Sequence, residues 1–163
     1  MLKNEILNKA EEVVNLLKTK GLTIATSESC TGGLVSSYIT AVSGASDVFE
    51  LGVTSYSCKI KNEILNVPKE VLNEQGAICK ETAKFMAENV RIKADSDLGV
   101  SVTGVAGPNK SEGKQAGLVY IAISSTKNTL VKELNITPKS RDFVRQTAAL
   151  NIFDLIMIFV EEL

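Results

Sequence analysis

From residue 3 to residue 103, segments with helical apolar spacing alternate with short runs rich in β-formers, and past residue 117 two such runs follow each other directly. This order constrains the fold more than any other feature. Strands separated by helices can pair in parallel through crossovers, whereas strands joined by a tight turn pair antiparallel. The helical segments are 3–20 (closed by Gly21), 32–42, 59–67 (halted before Pro68), 68–76, 79–94 and 139–162. The β runs are "LTIAT", "FELGVTSYS", "DLGVSVT" and the pair "LVYIAISS" and "TLVKELNI" around "TKN". The pattern predicts an α/β protein: one domain, built on a mixed sheet flanked by helices.

The 163 residues can bury a substantial core, and 44% hydrophobic with 23% charged residues is a globular composition. A net charge of −1 leaves no basic footprint for nucleic acid or an anionic membrane. The first twenty residues mix acids and bases on a helical pattern, unlike a signal peptide. The apolar run "IFDLIMIFV" carries Asp154 and is too short to cross a bilayer. A soluble, cytoplasmic protein is expected.

Three cysteines, Cys30, Cys58 and Cys79, show no paired spacing and predict no disulfide framework. The chain has no histidine. Ser-His-Asp triads, Cys-His pairs and histidine metal sites are therefore excluded within it, and no metal site is expected. A nucleophile here must take its base from Lys, Tyr, Asp or Glu.

Against that background the junction "ATSESCTGG", residues 25–33, stands out. A hydroxyl there can simply cap the following helix. Capping does not account for the whole cluster. Gly32 and Gly33 would strip side chains from the first helical turn and open its N–H groups to a phosphate or an oxyanion. A serine here would resemble a strand-to-helix nucleophile turn, although the sequence is not G-x-S-x-G. Cys30 is the more reactive atom intrinsically, but it lacks a histidine partner and suits a small buried hydrophobe better. Phosphate-loop motifs fail: no G-x-G-x-x-G follows the first strand, and "GPNKSEGKQ" has the wrong spacing and no Ser or Thr after its lysine.

Two further groups complete the set. "SYSCKIK" places Tyr56 at the end of a strand and Lys61 at the start of a helix, where both can face one crevice. Lys61 read alone is a solvated surface charge, and Tyr56 a core-edge aromatic. Without histidine, though, a lysine of lowered pKa is the natural base for a serine. "VTGVAGP" ends a strand at Thr103 and turns through Gly104, Gly107 and Pro108, either as plain turn chemistry or as a ligand loop at a strand's carboxyl end.

In this order and spacing, "SESCTGG", "SYSCKIK", "VTGVAGP" and "SRDFVR" resemble the CinA C-terminal domain family, which includes stand-alone nicotinamide mononucleotide deamidases. The likeness runs over nearly the whole chain, as the short form without the N-terminal domain of longer members. It implies a three-layer α/β/α sandwich and hydrolysis of the nicotinamide carboxamide to a carboxylate, with no cofactor. Ser29 would be the nucleophile, with Lys61 and Tyr56 as its activating partners. N–H groups around Cys30, Thr31 and Gly32, ahead of Gly33, would hold the oxyanion, and an arginine near Lys61 would help to lower its pKa. Thr103, Gly104 and Gly107 would line the pocket. Arg141, Arg145 and Lys114 are candidates for the substrate phosphate, Arg141 foremost and Lys114 the one better suited to exposed, solubilising charge. The partner implied is a small nucleotide, not nucleic acid or membrane, and a homo-oligomer is expected. Two departures stand out: "NKSEGKQAG" is one residue shorter than the family's glycine-rich stretch and lacks its second proline, and "PKSR" replaces S-G-D-R. The altered loop leaves a second reading open, a nucleotide-binding regulatory domain of the same fold without turnover.

Overall fold

The computed structural model describes residues 2–163. In chain order the elements are α1 (Leu2–Lys20), β1 (Ile24–Glu28), α2 (Leu34–Thr40), a 3-10 turn at Ala45–Asp47, β2 (Phe49–Thr54), α3 (Cys58–Leu65), α4 (Lys69–Glu74), α5 (Lys80–Ala94), β3 (Leu98–Gly104), β4 (Leu118–Ser124), β5 (Thr129–Asn135) and α6 (Arg141–Glu161). The sheet order is β2-β1-β3-β4-β5. β1 lies parallel between β2 and β3, and β3, β4 and β5 pair antiparallel. This is the mixed sheet that the alternation predicts.

Side-chain parity along the strands decides which helices cover which face. Ile24, Val100, Val102, Val119, Ile121 and Ile123 point to one side, where α1, α2 and α6 supply Val13, Leu17, Val35, Ile152, Phe153 and Ile156. Ala25, Leu51 and Val53 point to the other, against Met86 and Val90 of α5 and Leu65 of α3. The α5 layer packs close because the strands beneath it carry small residues. A Cβ on Gly99 would lie 2.1 Å from the Ala87 carbonyl oxygen, and the Ser101 hydroxyl donates to the Ala83 carbonyl over 2.6 Å. Three layers result.

Several boundaries move from the sequence-based expectation. β1 starts two residues later than "LTIAT" and runs on to Glu28, because its partners on both sides continue past Thr26. α3 ends at Leu65, capped by Asn66 in the left-handed conformation with φ 50, rather than running up to Pro68. Gly32 and Gly33 precede α2 instead of forming its first turn, with φ 63 and 94, so the pair shapes the turn into the helix. The expectation about the C-terminal apolar run also needs correction. The run belongs to a 21-residue helix that by length and composition could cross a bilayer. Here it is a core helix, with Ile152, Phe153, Ile156 and Val160 fully or almost fully buried.

Candidate functional site

Ser29 follows β1 directly, and its N–H donates to the Val102 carbonyl of β3 over 2.9 Å. The turn that carries Ser29 is thus a continuation of the central sheet. α3 approaches from the β2 side. Ser57 caps it by accepting the Ile60 N–H over 3.2 Å, and Lys61 follows one turn into the helix.

Lys61 is fully buried. Its Nζ lies 3.0 Å from Ser29 Oγ and 2.5 Å from the Ser55 carbonyl oxygen, both uncharged partners. Burial pushes its pKa below the ordinary lysine value, opposed by the neighbouring Cys58, Cys30 and Glu112 groups. No arginine contributes, contrary to the expectation that a nearby guanidinium would help. Cys30 is buried as well, and desolvation raises its thiol to about 12. That group stays protonated at neutral pH, the opposite of an activated cysteine.

Tyr56 is 61% exposed and its hydroxyl accepts from Arg141 over 3.0 Å. Among the described residues the phenol makes no hydrogen bond to Lys61, so the expected partnership of these two is not in place. Arg141 stands at the start of α6 and also donates to the Gly107 carbonyl over 2.7 Å. Ser29, Tyr56, Gly104–Pro108, Glu112 and Arg141 line one cavity of about 470 Å³ together with Cys30, Cys58 and Ile78. Its acidic and basic side chains are Glu112 and Arg141, one of each.

Other candidates sit elsewhere. Thr103 is buried outside the cavity wall, its hydroxyl donating to the Ala77 carbonyl over 2.7 Å. It anchors the loop before α5 and does not line the pocket. Thr31 is likewise fully buried, and Oγ1 has no hydrogen-bond partner among the described residues. Arg145 reaches the turn that follows Ser29, donating through Nε to the Cys30 carbonyl at 3.2 Å and through Nη2 to the Thr31 carbonyl at 2.8 Å. It clamps the turn rather than waiting for a phosphate. Lys114 is no free surface charge: its ammonium donates to the Gln75 carbonyl over 3.1 Å and to that of Ile78.

The N–H groups redistribute in the same way. The Gly32 N–H is taken by the Ser29 carbonyl at 3.0 Å and is not available to an oxyanion. Among the described residues the N–H groups of Cys30 and Thr31 have no backbone acceptor. Those of Gly33, Val35 and Ser36 converge on the carboxylate of Glu28, at 3.1, 3.0 and 2.9 Å. Glu28 was not singled out by its sequence pattern. The available signal was its place, five to eight residues ahead of the N–H groups of a glycine-opened helix start, where an acid can bind them. Glu112 does the same on a smaller scale, accepting from the N–H groups of Ala77 and Ile78 at 3.0 and 3.2 Å.

With this geometry in hand, the chain can be set beside known proteins. Residues 7–160 match the family model described as the CinA C-terminal domain. A provisionally named competence-damage inducible protein of Caldanaerobacter subterraneus subsp. tengcongensis is 48% identical over 152 residues, covering 93% of this chain and 37% of that one. A relative of the same provisional name from Bacillus cereus is 41% identical, covering 88% of this chain and 35% of its own length. The chain thus spans little more than a third of the curated relatives it matches. Among solved structures, the competence/damage inducible protein CihA from Agrobacterium tumefaciens superposes with a TM-score of 0.91 at 30% identity, covering 96% of each chain. A CinA superfamily protein from Enterobacter cloacae superposes with a TM-score of 0.91 at 26% identity, covering 95% of this chain and 92% of that one. The chain belongs to the CinA C-terminal domain family.

Proposed function

We propose that the chain is an amidohydrolase that converts the carboxamide of nicotinamide mononucleotide to a carboxylate with release of ammonia. The observation that carries this reading is the fully buried Lys61 amine 3.0 Å from the hydroxyl of Ser29, which lines a cavity, in a chain without histidine. A neutral lysine offers one lone pair and two N–H groups. One N–H goes to the Ser55 carbonyl, and the lone pair accepts the Ser29 proton.

Ser29 Oγ attacks the carboxamide carbon as its proton passes to Lys61, and the carbonyl electron pair moves onto oxygen. The N–H groups of Cys30 and Thr31 are the donors closest in sequence to that oxyanion, and one such donor is commonly worth about 3 kcal/mol. Lys61 then protonates the amide nitrogen, the C–N bond breaks and ammonia leaves. Water attacks the resulting ester, giving a proton to Lys61, which returns it to Ser29 Oγ as the ester bond breaks. Arg141 is the cation that faces the cavity, and its remaining N–H groups suit a phosphate.

The test is incubation of the purified protein with nicotinamide mononucleotide, with ammonia and nicotinate mononucleotide both measured and Ser29→Ala as control. Stoichiometric release of both products that Ser29→Ala lacks is the expected result. Nucleotide binding with no ammonia across neutral and alkaline pH would make the chain a regulatory receptor instead.

A further inference from the structure

The carboxylate of Glu28 is almost fully buried and, among the described residues, forms no salt bridge; its partners are four donors from the start of α2. Oε2 accepts the Gly33 and Val35 N–H groups at 3.1 and 3.0 Å, and Oε1 accepts the Ser36 N–H and hydroxyl at 2.9 and 2.7 Å. A buried unpaired charge is costly, and only this dense set of donors at a positive helix end makes it tolerable. The main chain of the same residue has a second attachment. The Glu28 carbonyl accepts the Ser55 N–H over 2.9 Å, and the Ser55 carbonyl in turn accepts an N–H of the Lys61 amine.

We propose that Glu28 is the positioning residue of the nucleophile. Its side chain fixes the turn that follows Ser29, and its carbonyl fixes the segment from which Lys61 is held, so the Ser29–Lys61 contact is set from both sides by one residue. The inference rests on the reading of Ser29 as nucleophile. It also assigns the α2 N-terminus: the anion bound there belongs to the protein, and the substrate's negative charge must be met elsewhere.

Glu28→Gln separates this role from simple packing, because it keeps the side-chain volume. An amide cannot satisfy the site. Whichever way it is turned, its NH2 faces at least one main-chain N–H that has no lone pair to offer. A fluorophosphonate that esterifies activated serines provides a readout independent of the natural substrate. We expect Glu28→Gln to lower the labelling rate of Ser29 on the order of a hundredfold, the scale set by about 1 Å of misplacement. The rise of that rate with pH should keep its midpoint, since Lys61 stays buried. A crystal structure of the variant should show the Gly32–Gly33 turn displaced and Ser29 Oγ out of hydrogen-bond range of Lys61. A variant that melts earlier yet labels at the wild-type rate per folded molecule, or that keeps the Ser29–Lys61 contact, overturns the proposal. Wild-type protein that labels at Ser29 but releases no ammonia overturns only the deamidase reading, and the comparison of labelling rates then still supports or overturns the role of Glu28. Wild-type protein that the probe leaves unlabelled overturns the nucleophile and this inference together.

Discussion

Arg141 and Tyr56, 85 residues apart in sequence, close one side of the cavity: the guanidinium donates to the phenol oxygen over 3.0 Å and holds the Gly107 carbonyl over 2.7 Å. The phenol thereby keeps its own proton as a donor toward the cavity, and three of the five guanidinium N–H groups are left for a ligand. This arrangement suits both residues to holding a ligand better than to passing a proton. Tyr56→Phe should raise KM severalfold and leave kcat within a small factor. Arg141→Ala should raise KM about tenfold or more for a phosphorylated substrate, the range for a charge-assisted contact. It should do little with the corresponding riboside, which has no phosphate. Steady-state kinetics on the two substrates check this; a collapse of kcat in Tyr56→Phe at constant KM would restore the phenol as a proton relay.

The two candidate nucleophiles separate by what stands beside them: Ser29 Oγ has the Lys61 amine at 3.0 Å, whereas burial raises the Cys30 thiol. With its thiol raised to about 12, Cys30 should resist iodoacetamide at neutral pH in the folded protein, while the exposed Cys58 reacts. Cys30→Ala should keep much of the activity and Ser29→Ala should lose it with the fold intact. Mass spectrometry of the alkylated protein and an ammonia assay of the two variants decide it. A dead Cys30→Ala beside an active Ser29→Ala would reverse the assignment.

The sheet was legible in the sequence for physical reasons, whereas the choice of Ser29 with Lys61 came through the family resemblance. The alternation of helices with strands and the "TKN" hairpin carry the mixed topology, and the absence of histidine directs attention to a lysine. What stayed hidden depends on elements meeting across the fold. Arg145 reads as a phosphate ligand until α6 is laid beneath the Cys30–Thr31 carbonyls. Glu28 attracts no reading from its sequence pattern, and its place shows only once β1 runs two residues past Thr26 into the buried junction. Thr103 was placed in the pocket because it ends a strand, yet its hydroxyl faces the segment ahead of α5. A short pattern records which groups are near in sequence, and these three pairings span 5 to 115 residues.

The loop between β3 and β4 is tied to the segment before α5 by two opposite charges that sit 3.8 Å apart, Glu112 on N–H groups and Lys114 on carbonyls. Each charge answers main-chain groups that no neighbouring helix satisfies. Both side chains keep partial solvent contact, so screening reduces the effect. Lys114→Met should cost about 1 kcal/mol of stability and raise KM, because the loop walls the cavity through Pro108 and Glu112. Denaturant melts and KM measured together test this. A variant that is less stable with unchanged KM would detach the loop from binding.

Lys61 connects activity and stability through one proton. Its folded pKa is lowered by burial, whereas in the unfolded chain it returns to about 10.4. Only the neutral amine accepts the Ser29 proton, so activity should rise with pH through the lowered value. Between the lowered value and about 10.4 the unfolded chain binds more protons than the folded one, so stability should also rise with pH there. Below the lowered pKa both states carry the proton, and the folded state bears the full penalty of a buried ammonium. Lys61→Met removes both effects: turnover should fall about a hundredfold or more, as on losing a general base, and the rise in stability over this window should vanish. Lys61→Arg should rescue neither, because arginine stays protonated and must be buried as a cation. Rates and denaturant midpoints for wild type and Lys61→Met, taken across that window, test the pair of expectations. If Lys61→Met keeps the wild-type rise in stability, some other group titrates there and Lys61 enters the folded state already charged.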